Sequence, residues 1–468
     1  MDDKEKQYDL VVIGGGPGGY TAAIRARQLG MQVALVEREQ LGGVCLNWGC
    51  IPTKALLRQA EVWRLMGRAD EFGIALGEAQ FDWSKIVARS RATADELARG
   101  VQYLMKKNGV EVVEGSGRIT PLRQVEVRDS GEDVIGTLEA EQILIATGSQ
   151  PRSLPGVDID GERILSSRQA MVLDAIPSEI AIVGAGAIGV EFAYFFNAFG
   201  SRVTLLESLP HILPREDEEA AAALHDSLEK QGIRIATGAH IADVKRSAKG
   251  VKVHYAVGEK EETLAVERVL MAVGVGAQSA GLGLEALGVR MRNGAIEVDG
   301  RQRTSVEGIW AIGDVAGPPQ LAHVASAEGI AAVEFMAGRQ RPEVDRGQVP
   351  NCIYCQPQVA SIGLSEAEAR AQGLEINVGR FPFAASGKAR AAGETEGFVK
   401  LVFGSRYGEL LGGVIVGAEA TELIGELSLA LKLEATYEEL LYSMHAHPTF
   451  SEAIMEAAGE AFGEAISI

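Results

Sequence analysis

Cysteine is scarce, with four among 468 residues. That excludes a small secreted scaffold stapled by disulfides. Basic residues are in deficit: 45 Lys and Arg face 64 Asp and Glu, a net charge of −19. So acidic a chain is a poor general binder of nucleic acid. Long apolar runs are missing too. The longest uncharged stretch, residues 347–365, carries Asn351, Gln348, Gln356, Gln358 and two prolines, and does not read as a membrane span. Residues 1–9 are charged and lack the apolar core of a signal peptide, so the expected location is the cytoplasm of a cell without organelles, or an organelle lumen after removal of a presequence. Neither hydrophobic (46%) nor charged (23%) content is unusual, which argues against disorder. The length suggests about three domains. Glycine is abundant, 56 residues against an average of roughly 7%. The glycines follow no collagen-like repeat and cluster in short turns.

The chain repeats itself. Residues 8–39 and 179–208 superpose at a constant offset of 170. Gly14, Gly16 and Gly19 match Gly184, Gly186 and Gly189, Gly30 matches Gly200, and Glu37 matches Glu207. Each copy reads as a buried strand, a glycine turn, a helix ending in glycine and a second strand ending in glutamate, a βαβ unit used twice. Residues 142–148 and 269–274 each resemble a later strand of the corresponding sheet. Residues 308–315 look like one more strand, returning to one of the two sheets. Residues 61–108 have a helical period, clearest over 90–107, and 110–128 alternate like strands. A helix is expected over 220–231. After about Pro350 the pattern becomes α+β, with antiparallel strands at 359–363, 397–403 and 411–417 and helices at 422–433 and 437–441. The domains expected are therefore 1–150, 151–278, a returning segment 279–348, and 349–468.

In Gly14-x-Gly16-x-x-Gly19 the first glycine permits a tight turn, the second admits a pyrophosphate, and the third lets helix pack on strand. Phosphates then meet the helix N-terminus. A lone motif of this kind is weak, and its glycines sometimes serve packing alone. Here both copies have the right flanks, and Glu37 and Glu207 stand where a carboxylate bonds ribose hydroxyls. Glu207 repels a 2′-phosphate, and residues 205–210 contain no arginine, so the second site reads as selective for NAD over NADP.

Residues 42–57, GGVCLNWGCIPTKALL, carry Cys45 and Cys50. In an ideal helix, Cα atoms five residues apart are roughly 8.5 Å apart, beyond the limit of about 7 Å for a disulfide. A bridge therefore needs an irregular backbone, which Gly49 and the Ile51-Pro52 step are expected to supply. Cys50 opens a helix whose dipole favours its thiolate, and Lys54 one turn on adds a cation. The pair reads as a redox-active disulfide rather than two buried thiols. Cys352 and Cys355, three apart on a strand-like segment, read as structural thiols, and no further ligands are spaced for a metal. Near the end comes His445-Ala446-His447-Pro448-Thr449-Phe450-Ser451-Glu452. Thr449 and Glu452 form either a plain capping box or, equally, part of a site in which Glu452 orients His447 as a base. His445 is expected to face elsewhere.

Two dinucleotide units, a Cys-x4-Cys after the first and a terminal His-Pro…Glu together resemble the flavoprotein disulfide reductases, over nearly the whole chain. The likeness is sharpest, through GGVCLNWGCIPTKALL and HAHPTFSEAI, to the branch that oxidises dihydrolipoamide with NAD⁺. The resemblance implies an α/β fold of two Rossmann-like domains, one for FAD and one for NAD, and a C-terminal α+β dimerisation domain. It places FAD at Gly14, Gly16, Gly19, Glu37, Lys54, Gly117, Thr147, Gly148, Asp314 and backbone near Ala322. It places NAD at Gly184, Gly186, Gly189, Glu207 and Gly274, with Glu191 near the nicotinamide and Lys54. Cys45 becomes the thiol that meets substrate, and Cys50 the one that faces the flavin. His447, held by Glu452, comes from the other subunit of a homodimer. The implied partners are a lipoyl domain and the subunit-binding domain of a 2-oxo-acid dehydrogenase acyltransferase. Residues 275–278, Val-Gly-Ala-Gln, depart from the family pattern, which places basic residues and Pro-Asn there. Another NAD(P)H-dependent disulfide or quinone reductase is the alternative enzyme, and a non-catalytic flavoprotein scaffold the alternative outside enzymes. The intact cysteine and histidine sets argue against the scaffold.

Overall fold

The structure is a computed structural model, described for residues 7–121 and 124–467. Most of the N-terminal segment 1–9 and two residues of the 110–128 segment lie outside the described residues. The chain forms two compact units, Met1–Leu56 with Ser84–Arg152 and Gly274–Val344, and Leu57–Trp83 with Ser153–Val273 and Asp345–Ile468.

In the first unit, Gln7–Ile13 and Val33–Glu37 are adjacent parallel strands, with Leu10 opposite Val33 and Ile13 opposite Val36. The glycine turn and helix Pro17–Gln28 lie between them in sequence. The sheet runs Glu111–Glu114, Val33–Glu37, Gln7–Ile13, Val134–Ile145, Gln124–Arg128, Ser116–Ile119. Ile309–Ala311 joins it in parallel beside Val134–Ile145, the expected return of residues 308–315. Alternate residues serve opposite faces. Val11, Ile13, Val36 and Ile143 enter one core. Leu10, Val12, Leu35 and Leu144 enter another, against Ala22, Ala23 and Ala26 of the first helix and Ala332 and Val333 of helix Ala322–Met336. Both faces being covered explains why these strands read as unbroken apolar runs. Each fully buried Leu contributes about 1.5–3 kcal/mol.

The second unit repeats the plan. Its five parallel strands are ordered Arg234–Ala236, Arg202–Leu206, Glu179–Val183, Arg268–Met271, Ile164–Leu165. A three-stranded antiparallel sheet follows, Ala239–Ser247, Gly250–Val257 and Lys260–Val266. The C-terminal part is a five-stranded antiparallel sheet, Asn351–Ile353, Gln358–Gly363, Leu410–Gly417, Phe398–Gly404, Ile376–Pro382. Its core joins Val399, Leu401 and Phe403 to Ile424 and Leu427 of helix Ala420–Lys432 and Ile454 and Ala457 of helix Glu452–Glu460. Lys400, 3% exposed, is held by Asp217, Glu219 and Glu366 at 2.9, 2.5 and 3.0 Å.

One helical expectation was too continuous. Residues 61–108 divide into the end of helix Cys50–Gly67, a 3-10 turn Ala69–Phe72, a stretch without regular structure, and helix Trp83–Asn108. Gly73, at φ +73°, ends the 3-10 turn. Among the described residues no helix is long and apolar enough to cross a membrane.

Candidate active site and cofactor cradles

Gly14 sits at φ +106°, and a Cβ there would lie 2.3 Å from Ala146 O. A Cβ on Gly19 would lie 1.9 Å from Gly14 O, so that glycine is what lets the helix approach the strand. Gly16 is different. It caps helix Pro17–Gln28 with no side-chain hydrogen bond, and a Cβ there would meet nothing closer than 3.9 Å. The space in front of the helix N–H groups is thus left clear. The second copy matches glycine for glycine. A Cβ on Gly184 would lie 2.4 Å from Ala272 O and one on Gly189 1.9 Å from Gly184 O, while Gly186 faces open space. An uncapped, positively polarised helix start behind an open glycine is an anion cradle, and both fit a dinucleotide pyrophosphate.

The two glutamates are anchored alike. Glu37 accepts from Gly15 N at 2.7 Å and Glu39 N at 2.8 Å. Glu207 accepts from Ala185 N at 2.7 Å and Leu209 N at 3.0 Å. Each carboxylate retains lone pairs for two ribose hydroxyls. Around the first cradle, Gly117 packs its backbone on Ile13. Thr147 donates to Gln278 O at 2.7 Å, and Gly148 turns at φ +72°. Asp314 accepts from Ser149 at 2.5 Å, and burial raises its carboxyl above the usual range. Ala322 opens its helix without a side-chain cap. Residues 275–278 are committed to the main chain. Val275–Ala277 pairs with Ser149–Pro151 after the turn at Gly274, φ +96°. Glu191, buried in helix Ala187–Ala198, accepts from Tyr354 N at 3.0 Å. Ser149 and Tyr354 escaped the sequence reading because nothing local marks a contact across more than 160 residues.

Cys45 and Cys50 form a disulfide, with Cα atoms 4.7 Å apart. The approach comes from a break between helices Gly43–Trp48 and Cys50–Gly67 at Gly49, φ −145° and ψ −112°. Gly49 alone supplies the irregularity. Ile51 is helical, since proline is tolerated in a first turn, where its missing N–H has no partner to lose. Asn47, almost wholly buried, donates to Leu41 O and Gly43 O at 3.1 and 2.9 Å. Arg91 donates to Asn47 O at 2.5 Å and stacks on Trp48. Lys54 lies one turn beyond Cys50 in the same helix. Cys352 and Cys355 are unbridged.

The His447 Nδ1 lies 2.9 Å from Glu452 Oε1, and the other Glu452 oxygen accepts from Thr449 N at 2.8 Å. One carboxylate thus serves both readings of the motif, although the helix itself is capped at Ser451. Burial pushes Glu452 upward, but the Thr449 N–H and His447 outweigh it and hold the carboxyl below its ordinary range. An Nδ1–H directed at Glu452 leaves the lone pair on Nε2. The His447 side chain is 80% exposed. His445 is instead 8% exposed and bound to Glu426.

Curated proteins named dihydrolipoyl dehydrogenase are similar end to end. The one from Rhizobium etli is 46% identical, covering 99% of both chains, and the one from Chlorobaculum tepidum 47%, covering 98% of both. Among solved structures, LpdA from Mycobacterium tuberculosis superposes with a TM-score of 0.89 at 30% identity, over 96% of this chain and 98% of that one. The HOCl-induced flavoprotein disulfide reductase RclA from Escherichia coli, as its Cu(II) complex, does so with 0.86 at 28% identity, over 97% and 99%. Residues 349–458 match the dimerisation domain of the pyridine nucleotide-disulphide oxidoreductases, and residues 8–329 match the family's main domain. With its two dinucleotide cradles and the disulfide behind the first, the chain belongs to the pyridine nucleotide-disulphide oxidoreductases.

Proposed function

We propose that this FAD- and NAD-dependent enzyme is a dihydrolipoyl dehydrogenase, oxidising a protein-bound dihydrolipoyl group through Cys45 and Cys50. The observation that carries the reading is the Cys45–Cys50 disulfide, set directly after a dinucleotide cradle in a chain matching curated dihydrolipoyl dehydrogenases end to end. FAD is assigned to residues 1–150 and 279–348, NAD to 151–278, and the subunit interface to 349–468. Support for the cofactor assignment is the pair of open cradles at Gly16 and Gly186. The match of residues 349–458 to a dimerisation domain supports a homodimer.

His447 accepts a proton from one substrate thiol at Nε2, with Glu452 stabilising the imidazolium formed. The thiolate attacks Cys45, forming a mixed disulfide and releasing Cys50 as thiolate. The second substrate thiol attacks the sulfur bonded to Cys45, closing the lipoyl ring, while its proton passes to the departing Cys45 sulfur. Two electrons and two protons leave the substrate, and the enzyme pair is left reduced. Cys50, first residue of an 18-residue helix, is stabilised as thiolate by the helix dipole. Bound in the two cradles, FAD and NAD⁺ supply the two-electron chemistry that reoxidises the pair. The 80% exposure of His447 on a single chain supports its presentation to a second subunit.

The partners we assign are the lipoyl and subunit-binding domains of a 2-oxo-acid dehydrogenase acyltransferase. The location assigned is the cytoplasm of a bacterium, in keeping with the bacterial sources of the relatives. Turnover with dihydrolipoamide and NAD⁺ is expected to exceed turnover with glutathione disulfide and NADPH by orders of magnitude. The reverse preference makes the protein another disulfide reductase.

A further inference from the structure

The disulfide joins two helices that meet at a single residue. Helix Gly43–Trp48 carries Cys45, helix Cys50–Gly67 begins at Cys50, and only Gly49 lies between them. Reduction removes the covalent tie across that break and leaves the backbone free to turn at the glycine. A third helix grips both sides. Ser90 and Arg91, neighbours on helix Trp83–Asn108, reach one cysteine helix each. The Arg91 Nη1 donates to Asn47 O at 2.5 Å, and the guanidinium lies 4.1 Å from the centre of the Trp48 ring. Asn47 is in the last turn of the Cys45 helix, where carbonyls lack a partner within the helix and the dipole favours a cation. The Ser90 Oγ donates to Pro52 O at 2.9 Å, on the third residue of the Cys50 helix, and Ser90 is fully buried. Asn47 also fixes the start of its own helix, donating to Leu41 O and Gly43 O.

We propose that Ser90 and Arg91 are positioning residues for the redox pair: together they hold the Cys45 and Cys50 helices in place across Gly49 while the disulfide is open, so that the dithiol stays arranged for reclosure. The inference rests on the reading of Cys45 and Cys50 as the pair that exchanges with substrate. In that exchange two S–H bonds of dihydrolipoamide give way to one S–S bond, and the Cys45–Cys50 bond gives way to two thiols. Two electrons and two protons pass from one pair to the other. The clamp acts on the reduced enzyme. Holding two thiols together raises their effective concentration toward each other and favours the disulfide. Freeing either helix favours the dithiol. A contact that only stabilised the fold would add equally to both forms and leave this equilibrium where it is.

The test is the equilibrium of the full-length FAD-loaded enzyme with mixtures of dihydrolipoamide and lipoamide at fixed ratios. Acid quench, alkylation and peptide mass then count free Cys45 and Cys50. Arg91→Met keeps an unbranched side chain and removes the donor. It is expected to shift the equilibrium about tenfold toward the dithiol, the scale of a hydrogen bond from a charged group, or about 30 mV upward for a two-electron couple. Arg91→Lys, which keeps a donor and a cation, should return most of the way to the parent. Ser90→Ala should shift it in the same direction by about threefold, the scale of a neutral hydrogen bond, and carries the test alone should Arg91→Met not fold. A parent equilibrium in the folded Met and Ala variants overturns the inference. Cys45→Ser separates the two readings. If it oxidises dihydrolipoamide at the parent rate, the exchange reading falls and this inference with it. If it is dead while Arg91→Met and Ser90→Ala titrate like the parent, this inference alone falls.

Discussion

Glu207 shows how much one residue does. Its two oxygens accept from Ala185 N and Leu209 N, and the residue is nearly buried. Arginine in its place would strip two N–H groups of their acceptor, so a change in nucleotide preference would be mixed with damage to the turn. Glu207→Gln keeps one oxygen and removes the charge. The preference for NAD over NADP, measured as the ratio of kcat/KM values, is expected to fall at least about tenfold, because repulsion of a 2′-phosphate is gone. An unchanged ratio would mean the carboxylate is not at the ribose. Glu207 was legible in the sequence because its spacing from the glycine turn is local. The contact of His445 with Glu426 was not, since the two lie 19 residues apart and no periodicity links them.

Among elements, the glycine turns were the most readable, because positive φ at Gly14 and close backbone approach at Gly14 and Gly19 leave no other residue type there. The structure divides their tasks, and two alanine variants separate them. Gly19→Ala puts a Cβ 1.9 Å from Gly14 O, so the strand and helix must part. Its folded yield and melting temperature should fall sharply, with a loss of several kcal/mol, about the cost of overpacking a tight contact. Gly16→Ala has no such clash, with its nearest neighbour 3.9 Å away and φ at −69°. The chain should fold and bind FAD at least about tenfold more weakly, seen in the flavin content of purified protein, because the methyl stands where phosphate approaches. Equal melting temperatures for the two variants would contradict this division. The cysteine segment was readable only in part. Two sources of irregularity were open, and Gly49 is the one the chain uses. The break in residues 61–108 was hidden because apolar periodicity continued past Gly73. Strand Ile376–Pro382 was missed because its half-buried residues show no clean alternation.

For the molecule as a whole, charge gathers around the buried Lys400. Burial pushes Glu366 upward, but hydrogen bonds from Lys400 and Arg370, with the charges of Lys400 and Arg380, bring it down to about 2. A carboxyl lower in the folded state than in the unfolded one adds stability that is complete above its ordinary range near 4.5 and is lost as pH falls toward 2. Lys400→Met leaves Asp217, Glu219 and Glu366 without their shared cation. It should lower stability by about 3–5 kcal/mol at neutral pH, and the deficit should shrink as the carboxyls protonate. Denaturation midpoints of parent and variant, followed from neutral pH down to about pH 2.5, check this. A deficit constant with pH would place the loss in packing.

The central claim is that the disulfide of one chain works with the histidine of another. Cys45→Ser and His447→Gln homodimers each have two defective sites. When the two are mixed and subunit exchange is confirmed by native mass measurement, each heterodimer should contain one site with both wild-type residues, and dihydrolipoamide oxidation should reappear, reaching up to about one quarter of the parent rate when exchange is statistical. If each chain supplies its own His447, every site keeps a defect. Exchange without recovery of activity would contradict the account.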